Sequence, residues 1–294
     1  MKDVHPLPFF EPEVVLYHAD CPDGFGAAWA VWTRCPTARF VTARHGQPPP
    51  DGLAGKRLVI VDFSYARPTI EQLAGATSAL AILDHHVTAQ QALGDLPYAH
   101  YEQNKSGAVL AWEWAHRTAA PWLLQYVQDK DLHRWQLPES RAINAAIESY
   151  SFDFDVWSGL KRDELATEGR AILRAQEQLI SKLLRTAVLV RFEGETISAV
   201  HSAILRSELG ERLALDHPFC LVWYEREGRR YVSLRSRSGG DDVSRIAQAH
   251  GGGGHQHAAS FSMPIVEGQP MPFLLQPPGV SSRDHVWVAP VCPR

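Results

Sequence analysis

The chain has 294 residues, 45% of them hydrophobic, and a formal net charge of -4. That length is enough for two buried cores, while the mildly acidic balance argues against tracking long duplex nucleic acid by bulk electrostatics, so any phosphate must be recognised locally. Its cysteines, Cys21, Cys35, Cys220 and Cys292, show no CxxC spacing and fit a reducing cytoplasm better than a disulfide scaffold, and no apolar run approaches the roughly 20 residues that span a bilayer.

Residues 1–13 read as an irregular arm without the basic-then-apolar order of a secretory leader. Val14-Val15-Leu16-Tyr17 is the first strand. It runs into the polar loop His18-Ala19-Asp20-Cys21-Pro22-Asp23-Gly24, and Phe25 to Trp32 continues as a helix whose small residues let it pack closely on a sheet. Arg39 to Ala43 makes a second strand, and after the turn at Gln47 to Gly52 the run Leu58-Val59-Ile60-Val61 leads into Asp62. Pro68 to Gly75 predicts a short helix with Pro near its start. Ala79 to Leu83 is a short buried strand that emerges as Asp84-His85-His86. Strand and helix alternate, which predicts a doubly wound, mostly parallel α/β sheet.

From Ser106 the pattern turns helical: Ser106 to Trp114 and Trp122 to Val127 carry apolar residues at helical spacing. The second run ends in the polar break Gln128-Asp129-Lys130-Asp131-Leu132. Residues 160–187 form a long amphipathic helix with a stripe of Leu165, Ile172, Leu173, Leu179, Ile180, Leu183 and Leu184, placed as a bridge between two domains. Strands follow at Val188 to Val190, Thr196 to Val200 and Phe219 to Tyr224. The last of these joins Tyr231 to Arg235 through the hairpin turn Glu227-Gly228-Arg229. A helix opens at Asp242, and Gly251-Gly252-Gly253-Gly254-His255 follows it as a loop. The expected division is a first domain over residues 1–186, a second, smaller α/β domain over 187–264, and a proline-rich tail over 265–294 with Phe273 to Leu275 and the strand-like Val286-Trp287-Val288.

In a parallel α/β sheet, ligand sites are built at the carboxyl edge of the strands. Three apolar strands that each deliver carboxylate or imidazole to that edge are hard to explain as core packing, and they point to a metal centre. Carboxylates with a minority of imidazoles suit hard or borderline divalent ions, Mn2+ or Mg2+ rather than a thiolate-rich zinc site. A bridging carboxylate can hold two such ions roughly 3.5–4 Å apart and clamp a phosphoryl group. His18, Asp20, Asp23, Asp62, His85 and Asp129 give enough ligands for two ions. Cys21 reads as a small packing residue rather than a soft ligand, and Asp131 as the weaker partner of Asp129, capping a new turn. In the glycine run, residues without Cβ let backbone N–H groups approach an anion, and His255 adds a hydrogen bond or charge. The apolar strand Ala258 to Phe261 directly afterwards makes a built loop a better reading than a linker. Trp112, Trp114, Trp122, Trp135 and Trp157 read as packing residues.

These motifs in this order, His18-Ala-Asp20-Cys-Pro-Asp23-Gly24, the Asp62 strand end, Asp84-His85-His86 and the later Asp129, resemble the DHH phosphoesterase superfamily. Gly251 to Ala259 is similar to the glycine-rich signature of the associated DHHA1 domain, with Ser260 where that family commonly has Gly. The wording Cys21 to Ala28 is most similar to the NanoRNase B-like branch of oligoribonucleases and cyclic-nucleotide phosphodiesterases. The resemblance implies a two-Mn2+ phosphodiester hydrolase with a DHH domain joined by the long helix to a DHHA1 domain. It puts His18, Asp20 and Asp62 on one ion and Asp23, Asp62, His85 and Asp129 on the other, with Asp62 bridging. It implies that His86 faces the substrate and that Asp84 orients the neighbouring imidazole. Arg235 and Ser236 at a strand end, with Gly252, Gly253, Gly254 and His255, become the expected contacts to a terminal phosphate or base. The expected substrate is a short oligonucleotide; a cyclic (di)nucleotide or 3′-phosphoadenosine phosphate is the enzymatic alternative, and a nucleotide-binding sensor the non-enzymatic one. No membrane partner is expected, and a homodimer is among the assemblies this reading allows.

Overall fold

The computed structural model describes residues 6–266; the expected readings of Met1 to His5 and of the tail beyond Val266 lie outside the described residues. A first compact unit ends at Ala175 and a second begins at Gln176.

The first unit is built on β1 (Val14–His18), α1 (Pro22–Trp32), β2 (Arg39–Ala43), β3 (Arg57–Val61), α2 (Arg67–Ala76), β4 (Ala79–Asp84), α3 (Val87–Leu93) and β5 (Ala99–Tyr101). The five strands are all parallel, in the order β2-β1-β3-β4-β5. Successive side chains on a strand point to opposite faces, and both faces here are covered. Val15, Val59, Val61, Ala81 and Leu83 pack into one core with Phe25 and Ala27 of α1. Leu16, Ile60 and Ile82, aligned across three strands by register, pack into the other with Ile70, Leu73 and Leu93. That is why these strands read as unbroken apolar runs instead of alternating ones. The chain leaves β1 towards β2 and returns to place β3 on its other side. Loops at the carboxyl ends of β1 and β3 therefore diverge, and a crevice opens between them.

Helices α4 (Gly107–His116), α5 (Trp122–Asp131), α6 (Ser140–Ile147) and α7 (Phe154–Gly159) complete this unit, with the start of α8 (Arg162–Leu184). Ser106 caps α4 by accepting from Val109 N, as its side chain predicts. The expected polar break at Gln128 does not end α5, which continues through Asp131. The short helices α3, α6 and α7 were not predicted: each is too brief for helical periodicity to show. The stripe of α8 serves two cores. Leu165 and Ile172 pack in the first unit, Ile180, Leu183 and Leu184 in the second, while Leu179 is exposed.

The second unit contains the strands β6 (Val188–Phe192), β7 (Glu195–His201), β8 (Cys220–Arg226), β9 (Arg229–Arg235), β10 (Gly253–His255) and β11 (Ala258–Pro264), with helices α9 (Arg206–Leu213) and α10 (Val243–Ala249). They form one mixed sheet, β10-β11-β9-β8-β7-β6, in which only β7 and β8 are parallel. The β6–β7 and β8–β9 turns place Glu193-Gly194 and Glu227-Gly228 at positive φ, the type I′ geometry that matches strand twist. Gly253 to His255, expected as loop, form a short strand against β11. The fold class is therefore α/β, a doubly wound parallel sheet followed by a smaller mixed sheet. Among the described residues no helix is long and apolar enough to cross a membrane.

Candidate metal centre

Asp62 follows the last residue of β3 and adopts φ 53, a left-handed conformation that costs a non-glycine residue about 1 kcal/mol or more. Its N–H still bonds to Leu83 O at 2.9 Å, so the turn is anchored while the carboxylate swings into the crevice. There it is 2% exposed. Its Oδ2 lies 3.5 Å from His18 Nδ1 and accepts from Cys21 Sγ at 4.0 Å. Its Oδ1 lies 3.2 Å from His85 Nε2. The same His85 nitrogen is 3.7 Å from Asp23 Oδ2 and 3.5 Å from Asp131 Oδ2. Among the described groups whose ligand atoms lie within 4.8 Å of one another are His18/Cys21/Asp62 and Asp23/His85/Asp131, and a third, Asp62/Asp84/His85/His86, overlaps them. Asp62 touches the first two.

Gathering the buried carboxylates of Asp23 and Asp62 with the 25% exposed Asp131 is costly unless cations offset their charge. Burial, and then the charges of Asp62 and Asp131, push the Asp23 carboxyl well above its usual range; burial also raises Asp131. Burial raises Asp62 too, but the close imidazoles of His18 and His85 outweigh it and hold that carboxyl far below the usual range. His85, which burial alone would lower, is pushed up to about 10 by the close Asp62 carboxylate and the charges of Asp131 and Asp23. His18 Nδ1, Asp62 Oδ1 and Asp131 Oδ2 are buried with no hydrogen-bond partner. Such atoms are rare in folded proteins. An acid–imidazole donor set with buried lone pairs fits divalent cations, and protonated imidazoles alone leave those lone pairs unsatisfied.

Close backbone packing makes the approach feasible. A Cβ on Gly107 would stand 2.4 Å from Asp62 Cβ, and one on Gly24 would stand 2.3 Å from His18 O. The bare N-terminus of α4 therefore reaches the site, where Gly107 N and Ala108 N donate to the two oxygens of Asp23 at 2.7 and 3.0 Å. The helix dipole favours the charged carboxylate there.

Beside the cluster, Asp84 is 1% exposed and fully engaged. Its Oδ1 accepts from His85 N at 2.7 Å and His86 N at 3.3 Å and lies 2.7 Å from His86 Nδ1; its Oδ2 accepts from Ser64 Oγ at 2.7 Å. Ser64 in turn meets Tyr101 OH at 3.0 Å. Burial raises the Asp84 carboxyl, but the neighbouring His86 holds it down at about 2. Burial would lower His86, but Asp84 pushes it up to about 9.

Of the expected ligands, His18, Asp23, Asp62 and His85 meet in the crevice. Asp20 does not: at φ 57 its side chain turns outward, 69% exposed, to an ion pair with Arg44. Asp129 is buried but faces the other way, accepting from Gln136 N at 3.0 Å and Leu137 N at 3.2 Å. Asp131 takes the place expected of Asp129. Two residues on a continuous helix differ by about 200° in direction, so only one of this pair can face the site, and the helix phase selects Asp131. Sequence reasoning also missed His45, whose ring lies 5.7 Å from that of His18, as well as Ser64, Tyr101 and Gly107. Ser106-Gly107 ahead of an apolar run was the one available signal.

In the second unit, Arg235 ends β9 with its guanidinium folded inward. It donates to Leu234 O at 2.9 Å and Ser207 Oγ at 3.0 Å, and its stem occupies the space that a Cβ on Gly210 would take. Ser236 Oγ donates to Asp241 O at 2.7 Å and meets His257 Nδ1 at 2.8 Å. A Cβ on Gly252 would stand 2.1 Å from Ser260 O, and one on Gly254, at φ 139, 2.6 Å from Ala258 O. These two glycines are required by close packing on β11; Gly253 and His255 lie in β10, half-buried.

Fold and site together define a two-unit α/β protein with a buried acid–imidazole centre at the switch point of its parallel sheet. No protein-family model matches the chain. It is 28% identical over 290 residues to the uncharacterized protein R106 of Acanthamoeba polyphaga mimivirus, an alignment covering 87% of this chain and 68% of that protein. Similar solved structures include the pGpG-specific phosphodiesterase PggH from Vibrio cholerae, at 13% identity and TM-score 0.47 over 86% of this chain and 93% of that one. RecJ from Thermus thermophilus in complex with Mn2+ matches at 13% identity and TM-score 0.43, over 86% and 50%. An exopolyphosphatase-related protein from Bacteroides fragilis matches at 12% identity and TM-score 0.40, over 84% and 85%. At these scores the likenesses carry no argument about activity.

Proposed function

We propose that this chain is a metal-dependent phosphodiesterase that hydrolyses short oligonucleotides. The observation that supports this reading is Asp62, one oxygen of which faces each of two donor groups whose buried lone pairs lack partners. Asp62 and His18 would hold one divalent cation, and Asp23, Asp62, His85 and Asp131 would hold the other, Mn2+ or Mg2+. When bound, such a pair supplies Lewis acidity to phosphoryl oxygens and lowers the pKa of water.

The chain's own groups supply positioning and protons. Asp84 orients His86 through Nδ1 at 2.7 Å, and the imidazole is proposed to face the substrate. Raised to about 9, the imidazole is cationic at neutral pH in the metal-free protein and can donate to a developing oxyanion or leaving oxygen. Of the nucleotide contacts expected in the second unit, Arg235, Ser236, Gly252 and Gly254 are taken up by internal contacts, so Gly253 and His255 are the ones retained as proposed contacts to the nucleotide. A net charge of -4 argues against holding long strands by bulk electrostatics, so kcat/KM should peak for oligomers of roughly two to five nucleotides.

The test is a panel of RNA and DNA oligomers of two to ten residues, with cyclic nucleotides and 3′-phosphoadenosine phosphate alongside, assayed before and after chelation. Activity on short oligomers, abolished by chelator and restored by Mn2+, is expected. Full activity in excess chelator would overturn the metal reading, and processive digestion of long strands would overturn the substrate class.

A further inference from the structure

We infer that Cys21 is a thiolate ligand of the first ion, in the place the sequence reading gave to Asp20, so that the two metal sites differ in kind. The inference rests on the two-ion reading above and deepens it. Asp20 and Cys21 are neighbours at the mouth of the crevice, and the chain can turn only one of them inward. Asp20 turns outward to Arg44. Cys21 turns inward, its Sγ 4.0 Å from Asp62 Oδ2, and one ligand atom each from His18, Cys21 and Asp62 lies within 4.8 Å of the others. A tetrahedral site with metal–ligand bonds of about 2.0–2.3 Å sets its ligands about 3.4–3.7 Å apart; the His18–Asp62 separation of 3.5 Å lies in that range, and the sulfur is a few tenths of an ångström beyond it.

A second observation points the same way. His18 Nδ1 is buried with no hydrogen-bond partner, and it shares the oxygen the thiol approaches. Packing alone does not account for the direction of this thiol: its Sγ is aimed at the Asp62 carboxylate, within one group with His18 and Asp62. Among the described cysteines, Cys35 and Cys220 are buried; only Cys21 appears in a group able to hold a metal.

The consequence is an asymmetric pair. Imidazole, thiolate and one carboxylate oxygen favour a thiophilic cation such as Zn2+, Co2+ or Fe2+, whereas the carboxylates of Asp23, Asp131 and Asp62 with His85 favour Mn2+ or Mg2+. As the sulfur–metal bond forms, the thiol proton leaves to solvent.

The test is spectroscopic and needs no turnover. Chelator-stripped full-length protein is titrated with Co2+, following bound metal by equilibrium dialysis and the thiolate-to-cobalt charge-transfer absorption in the near ultraviolet. The wild-type protein is expected to show that absorption, and Cys21→Ser and Cys21→Ala to lose it while still binding Co2+ at the Asp23/His85/Asp131 group; circular dichroism checks that both variants fold. Cys21→Asp should bind Co2+ without the absorption and shift the metal preference towards Mn2+. Co2+ bound by the wild type without charge-transfer absorption, or absorption surviving in both variants, would overturn the thiolate ligand and leave the two-ion reading intact. Failure of the wild type to bind Co2+ at all would overturn both.

Discussion

The two regions that the sequence singles out are built on opposite principles. At the carboxyl edge of the parallel sheet, three carboxylates and two imidazoles are brought together with buried lone pairs left over. Around Arg235 in the second unit, most of the polar groups are engaged, Arg235 Nε being the exception: the two terminal nitrogens of Arg235 donate to Leu234 O and Ser207, Ser236 is held by Asp241 and His257, and Gly252 and Gly254 are required by the backbone of β11. A buried polar group that its fold satisfies is doing structural duty. One that its fold leaves unsatisfied is held in place at a cost, commonly about 1–3 kcal/mol, and marks where chemistry is to be sought.

Substitutions can break or sharpen this contrast. The largest effect is expected from Asp62→Ala, which removes the one side chain common to both donor groups. Bound metal, counted by atomic emission after dialysis, should fall at both sites and phosphodiesterase activity should vanish; retention of two ions would dissolve the bridging role.

His85→Ala and His86→Ala divide the pair that follows β4. The former should deplete metal. The latter should keep it and lower kcat by about 10²-fold or more, as for a positioned acid. Equal loss of metal in both would show that the roles are not divided in this way.

Gly107→Ala places a methyl group 2.4 Å from Asp62 Cβ. Because the N-terminus of α4 must then retreat from the site, activity should drop by about 10²-fold with the far-ultraviolet circular dichroism unchanged.

A smaller effect concerns pH in chelated protein. The Asp84 carboxyl is depressed from 3.8 to about 2, so its contribution is present above about pH 4 and is lost as pH falls towards 2. The His86 imidazole is raised from 6.5 to about 9, so its contribution is full below pH 6.5 and lost as pH rises through 9. The same contact underlies both limbs and is worth about 2 kcal/mol, counted once. Thermal melts of Asp84→Asn across this range should show both limbs flattened; unchanged limbs would remove the pair from the account.

The mildest test sits in the second unit. Gly252→Ala forces β10 away from Ser260 O and should cost about 1–3 kcal/mol of stability while metal content stays at the wild-type level. Metal loss in this variant would mean that the glycine run serves the centre directly.

The sequence by itself determined the strands and the edge. Short apolar runs of four or five residues, rich in β-branched and aliphatic side chains and bounded by turn residues, read as buried strands, and a parallel sheet covered on both faces sends whatever follows them to one rim. Hence His18, Asp62 and His85 were legible before any coordinates. Which of two neighbouring residues faces inward was not. The choice between Asp20 and Cys21 depends on a left-handed turn at Asp20 and on Arg44, a residue from a different loop. The choice between Asp129 and Asp131 depends on α5 running unbroken through Asp131, so that its phase carries one carboxylate towards His85 and the other towards Gln136 and Leu137. Residue type and spacing narrow the candidate ligands to a short inventory. Direction is fixed only when the packed helix and the anchored turn set the backbone dihedrals, because about 100° of helix rotation per residue separates a ligand from a loop brace.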